Sequence, residues 1–174
     1  MKTDNRILLA TRGLILLIMG LVAAGAIGLT AAALALPFYR SEVASALAEQ
    51  APALNMTTLY PPLYGAFLFG LIALGLIWAT LSKLRAIVAS VSEGDPFIAA
   101  NSRRLKAIGW LMVAGQIAAI ALGLMIDRVA SLTGTHGGGS DLSLNGLLAI
   151  LLVFVLAGVF ERGAQMREEL EGTI

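Results

Sequence analysis

Glu93 and Asp95 are two carboxylates close enough in sequence to share acid–base work. Their neighbours give them a structural role. Gly94 supplies a helix stop, Asp95 an N-cap and Pro96 the first position of a following helix. His136 stands alone within Gly134–Ser140, a glycine-rich GTHGGGS tether. One histidine and no cysteine leave no ligand set for a zinc or soft-metal centre. GTHGGGS also lacks the Lys-Ser/Thr ending of a phosphate-binding loop. With no nucleophile and base at working spacing, the chain reads as a non-enzyme, without catalytic, metal or cofactor-binding residues.

The remaining polar side chains suggest contacts rather than reactions. Asn101 and Arg104 near the middle, with Arg167 and Glu168 near the end, read as exposed residues able to touch a partner. Arg103, Arg104 and Lys106 form a basic cluster suited to lipid headgroups or an acidic surface. Gln116 falls within an apolar run and reads as an intramembrane polar contact, needing a hydrogen-bond partner in lipid.

The elements that must carry these residues are set by hydropathy. Of 174 residues 58% are hydrophobic and 13% charged, too few polar groups to coat a water-soluble globule. Residues 13–36, 63–81, 107–126 and 142–160 contain no charge at all. Each run approaches or exceeds the roughly 20 helical residues that cross a hydrocarbon core of about 30 Å. The expected fold is all-α: an integral membrane four-helix bundle forming a single membrane domain over 1–174. The first run begins after basic residues, and Ala33-Leu34-Ala35 has the form of a cleavage site, but the run is too long for a signal-peptide core.

Ten of the twelve Lys and Arg residues fall in the N-terminal tail, the 82–106 connection and the C-terminal tail 161–174. The positive-inside rule then puts both termini in the cytoplasm and makes 82–106 a cytoplasmic helical hairpin. Net charge is only +1, which gives no pull toward nucleic acid. Span two runs on with Leu84, Ile87, Val88 and Val91 at helical spacing, and the helix after the turn runs directly into span three. Phe97 and Ile98 are expected to pack on Val88 and Val91. On the outer side Ser41 is placed to cap a short helix over 42–50, and Asn55-Met56-Thr57 fits a glycosylation sequon that a bacterial protein would leave unused. Gly115, Ala119 and Gly123 form a small-residue stripe suited to close helix packing.

The segments Glu93-Gly94-Asp95-Pro96-Phe97, Asn101, Arg103-Arg104-Leu105 and Ile108-Gly109, with Val159-Phe160-Glu161-Arg162-Gly163 and the Glu168–Ile174 ending, resemble the bacterial membrane family called domain of unknown function 2975. The resemblance implies a four-span inner-membrane protein with no activity assigned. Genes of the family often lie beside a small helix-turn-helix transcription regulator, which implies a membrane partner for such a regulator. The expected function is therefore a non-enzymatic regulatory or interaction module of the bacterial inner membrane. Its partners would be the bilayer and a cytoplasmic transcription regulator, with no direct nucleic-acid binding. The alternative is a small transporter or channel subunit acting as a homo-oligomer. Against an ion-coupled transporter, no ionisable residue lies inside any span.

Overall fold

The apolar runs are only parts of longer helices. The computed structural model describes residues 2–48, 55–135, 137–138 and 143–171. It contains helices α1 (Lys2–Ala35), α2 (Arg40–Ala48), α3 (Met56–Ser92), α4 (Ala99–Thr133) and α5 (Leu144–Glu171). All but α2 are long and apolar enough to cross a membrane. The 37 residues of α3 extend about 55 Å at 1.5 Å each, well beyond a hydrocarbon core. As expected, the 82–106 connection is a continuation of spans two and three. His136 lies outside the described residues.

Between 6 and 17% of each apolar window is buried within the chain. Leu16, Ile27, Leu68, Ile117, Leu152 and Val155 are among many large apolar side chains that face outward. In water such surfaces would demand burial, whereas lipid tails solvate them without cost. The chain is a multi-pass membrane protein.

Its contacts separate into two units. The first comprises Met1–Val22, Leu76–Ala114 and Ser143–Ile174. Ile87, Leu105, Ile108 and Ala157 form one core there, joining α3, α4 and α5, with Met112, Val153 and Phe160 packed against it. Ile15, Met19 and Val88 form another between α1 and α3. Gly109 lets α4 and α5 approach closely: a Cβ there would stand 2.8 Å from the Phe154 ring.

The second unit comprises Ala23–Gly75 and Gly115–Leu142. Close contacts fall at Gly65, where a Cβ would meet Met125, and at Gly70, where it would meet Leu29. The expected stripe is not such a face at Gly115 or Ala119. Nothing lies within 4 Å of a Cβ at Gly115, and Ala119 is exposed. Small size permits close approach but does not supply a neighbour.

Around α2 and the start of α3 the structure adds one cap and removes another. Asn55 caps α3, its side-chain oxygen accepting from the Thr57 N–H at 3.0 Å and the Thr57 hydroxyl at 2.6 Å. That cap lets the helix begin before Pro61 and Pro62. Thr57 and Thr58, whose carbonyls the two prolines leave without helical donors, are exposed and open to solvation. Ser41 is not a cap, because α2 starts one residue earlier and the Ser41 hydroxyl donates to the Glu42 carboxylate. A backbone hydrogen bond at Glu42, and then Ser41, hold that carboxyl below its ordinary pKa.

Gly94 ends α3 with φ of +89°. The Asp95 N–H donates to the Ser90 carbonyl and the Gly94 N–H to the Val91 carbonyl, the double closure of a Schellman motif. The expected stop is therefore present, but the expected restart is not. The Asp95 carboxylate pairs with Arg167, and α4 begins only at Ala99, three residues after Pro96, with the Asn101 N–H donating to the Ile98 carbonyl. Gly94→Val should lower stability by about 1–2 kcal/mol, since a β-branched residue resists positive φ. Thermal unfolding in detergent would show this, with Gly94→Asn falling between the two because Asn tolerates the left-handed region. A Val variant as stable as the parent would contradict the reading.

Candidate interaction surface

Asn101 lies on the same face of α4 as Leu105, Ile108 and Met112, so the helix carries its amide into the core. It has 0% exposure, which corrects the expectation of an exposed contact residue. A buried amide must find its hydrogen bonds inside the protein. The Asn101 Nδ2 donates to the Ser90 Oγ at 2.6 Å and to the Pro96 carbonyl at 2.9 Å. Its Oδ1 accepts from the Arg104 Nη1 at 2.8 Å. Ser90 in turn donates to the Ile87 carbonyl. One side chain thus ties the end of α3, the turn and the first turns of α4 together.

The basic cluster splits into three environments. Arg104 is half-buried, and besides Asn101 it reaches the Ala86 carbonyl of α3. Its cation is used within the hairpin rather than offered to a partner, which corrects the second expected contact residue. Lys106 forms an ion pair with Glu161 of α5 at 2.8 Å. Arg103 remains exposed.

A second set of contacts attaches α5 to the hairpin. Arg167 pairs with Asp95. Phe97 lies against Phe160, with ring centroids 5.2 Å apart, and over Gly163, where a Cβ would stand 2.7 Å from its ring. Phe97 therefore packs on α5 and not on Val88, which belongs to the α1 seam. The Ser102 hydroxyl donates to the Ala157 carbonyl at 3.3 Å.

These contacts leave an open groove of about 640 Å³ between the turn, the start of α4 and the end of α5. Asp95, Phe97, Arg103, Glu161, Arg167 and Glu168 contribute to its walls. Two of the five charged residues there pair with each other and Glu161 pairs with Lys106. Among the described residues, Arg103 and Glu168 form no ion pair, so the groove offers one cation and one anion. Of the expected contact residues, Arg167, paired with Asp95, and Glu168 line this groove; Arg103 lines it as well and Arg104 does not. The alternation of Arg103 and Arg104 around α4 carried that signal, since only one of two adjacent residues can share the Asn101 face.

Gln116 is distant in sequence from these residues. It is half-buried on α4 and makes no side-chain hydrogen bond among the described residues. Among the described residues, no group of three or more His, Cys, Asp or Glu side chains could hold a metal ion.

An all-helical, multi-pass membrane architecture with a polar-stapled helical hairpin is thus the class that fold and site define. Residues 42–174 match the family described as Protein of unknown function (DUF2975), and the chain belongs to that family. No curated protein and no solved structure matches it.

Asn101→Ala should lower stability by about 1–3 kcal/mol, because the Pro96 carbonyl and the Arg104 guanidinium lose a buried partner. Arg103→Ala, at an exposed position, should change stability little. Comparing the two unfolding midpoints in one detergent checks this, and equal midpoints would remove Asn101 from its central place.

Proposed function

We propose that this protein is a non-enzymatic interaction module of the bacterial inner membrane. Its hairpin and C-terminal helix face the cytoplasm and hold a soluble helix-turn-helix transcription regulator. The groove beside Asp95 carries this reading. It combines the exposed Phe97 edge with Arg103 and Glu168, charges that no other described residue neutralises. An aromatic anchor with charged rims is a usual composition for a protein-binding surface. The Lys/Arg asymmetry supports the inward orientation of this face, and the family's gene neighbourhood supports the choice of partner.

The test uses Arg103→Glu and Glu168→Lys together, because Arg104 is engaged inside the hairpin and its reversal would damage the fold. The double reversal should abolish co-purification of the regulator from native membranes while membrane insertion persists. Single reversals should weaken it in a salt-dependent manner, as charged rim contacts do. A membrane-impermeant thiol reagent should fail to label a cysteine placed at position 95 in intact cells. Capture unaffected by the double reversal, or outside labelling at position 95, would overturn the proposal. A phenotype lost in Gln116→Leu but retained in the double reversal would favour the transport reading.

A further inference from the structure

In the second unit, Arg40 is held in place without being neutralised. Its Nε donates to the Tyr60 hydroxyl at 3.2 Å, and its guanidinium carbon stands 4.9 Å from the Tyr60 ring centroid. These two contacts fix the group and leave its Nη donors unspent. Among the described residues Arg40 forms no ion pair. Glu42, only two residues away, accepts from the Ser41 hydroxyl instead. Tyr64 extends the same wall, its ring centroid 6.2 Å from that of Tyr60. The Tyr64 hydroxyl makes no hydrogen bond among the described residues.

Pro37, Arg40, Tyr60 and Tyr64 line a pocket of about 230 Å³. The chain sets the depth of each. Pro37 directly follows the uncharged run 13–36, and Tyr64 is the second residue of the run 63–81, so both lie at the edge of the hydrocarbon core. Tyr60 is one helical turn farther out, about 6 Å along α3. Side chains lean toward the N-terminus of their helix, which carries both phenol hydroxyls away from the core. Arg40, bound to the Tyr60 hydroxyl, is therefore farther from the core than Tyr64. In the other direction Phe67 meets Tyr64 edge-on, with centroids 6.2 Å apart. From the core outward the order is Phe67, Tyr64, Tyr60, Arg40: an apolar aromatic track ending in a cation at headgroup level. Exposed Phe38 and Tyr39, immediately before Arg40, are interfacial residues of the same stretch.

We infer that this pocket binds one anionic glycerophospholipid from the leaflet at the N-terminal end of α3, its phosphate on the Arg40 Nη donors and the Tyr64 hydroxyl and an acyl chain along Tyr64 and Phe67. A phosphodiester carries one negative charge and only accepts hydrogen bonds, which matches one guanidinium beside a phenol donor. Among the described residues no carboxylate lines the pocket to hold an ammonium, so a zwitterionic headgroup is the poorer fit. The site lies at the opposite end of α3 from the hairpin and does not depend on the proposed regulator.

The full chain would be reconstituted in nanodiscs of phosphatidylcholine mixed with phosphatidylglycerol, and the lipid retained after gentle release counted by native mass spectrometry. The parent should retain phosphatidylglycerol in preference to phosphatidylcholine. Arg40→Gln should reduce that preference about fivefold, the worth of one interfacial basic residue. Arg128→Gln removes an exposed charge near the end of α4, outside the pocket, and should leave the preference intact. Tyr64→Phe keeps the aromatic wall and the Arg40–Tyr60 contact, so the fold is undisturbed; loss of its single donor should reduce the preference about threefold. Equal losses for Arg40→Gln and Arg128→Gln would mean diffuse attraction to charge and overturn the site. So would an unaffected Tyr64→Phe variant, equal retention of the two lipids by the parent, or displacement of the lipid by glycerol phosphate in solution, which would mark a site for a free anion.

Discussion

A buried amide cannot rest half-satisfied, and Asn101 is the place where that constraint organises the hairpin. Its side chain has two donors and an acceptor, and the structure provides a partner from each neighbouring piece: Ser90 from α3, Pro96 from the turn and Arg104 from its own helix. An apolar residue at this position could pack, but it could not specify where the turn goes. The contacts to Ser90 and Pro96 set the path between the Gly94 stop and the start of α4. With that path set, Phe97 meets Gly163 and Phe160, and Asp95 meets Arg167. The open groove is what remains between these attachments.

Lipid changes the balance of forces for the rest of the chain. Because tails solvate outward Leu, Ile and Val as well as another helix would, hydrophobic burial gives little reason for the spans to associate. Close steric fit and polar ties must then hold the helices together. Within the first unit, the Gly109–Phe154 approach supplies fit and the Ser102–Ala157 bond supplies a polar tie between α4 and α5. Within the second, Gly65 against Met125 and Gly70 against Leu29 serve the first purpose. Arg40 stacks over Tyr60, 4.9 Å from the ring centroid, and gives that unit a polar contact of its own.

Periodicity and hydropathy made the helices legible, including the run of α3 through the basic segment and the glycine that ends it. They did not reveal which polar residues turn inward. Asn101 looked like a surface residue because Asn usually is one, although its spacing from Leu105, Ile108 and Met112 placed it on the buried stripe. Once Asn101 is inside, Arg104 is drawn to its oxygen and becomes half-buried, so one misplaced residue misplaced a second. Asp95 failed as a cap for a different reason: α4 starts three residues beyond Pro96, and the Asp95 carboxylate pairs with Arg167 of α5. The partner of Phe97 lies on α5, more than sixty residues away, and local pattern carries no information about that contact. At Asn55, where the sequence pattern offered only a sequon expected to be unused, the structure shows a helix cap through Thr57.

The central claim is that the Asn101 hydrogen bonds hold the turn against α5. The chain has no native cysteine, so spin labels can be placed on cysteines introduced at the exposed positions Glu93 and Gln165 without background. Pulsed electron–electron double resonance in nanodiscs then reads the distance between turn and tail helix. With Asn101 present, one narrow distance distribution is predicted. With Asn101→Ala, the distribution should broaden while helix content by circular dichroism stays the same. An unchanged narrow distribution in the variant would contradict the account, because the turn would then be held by something other than the buried amide.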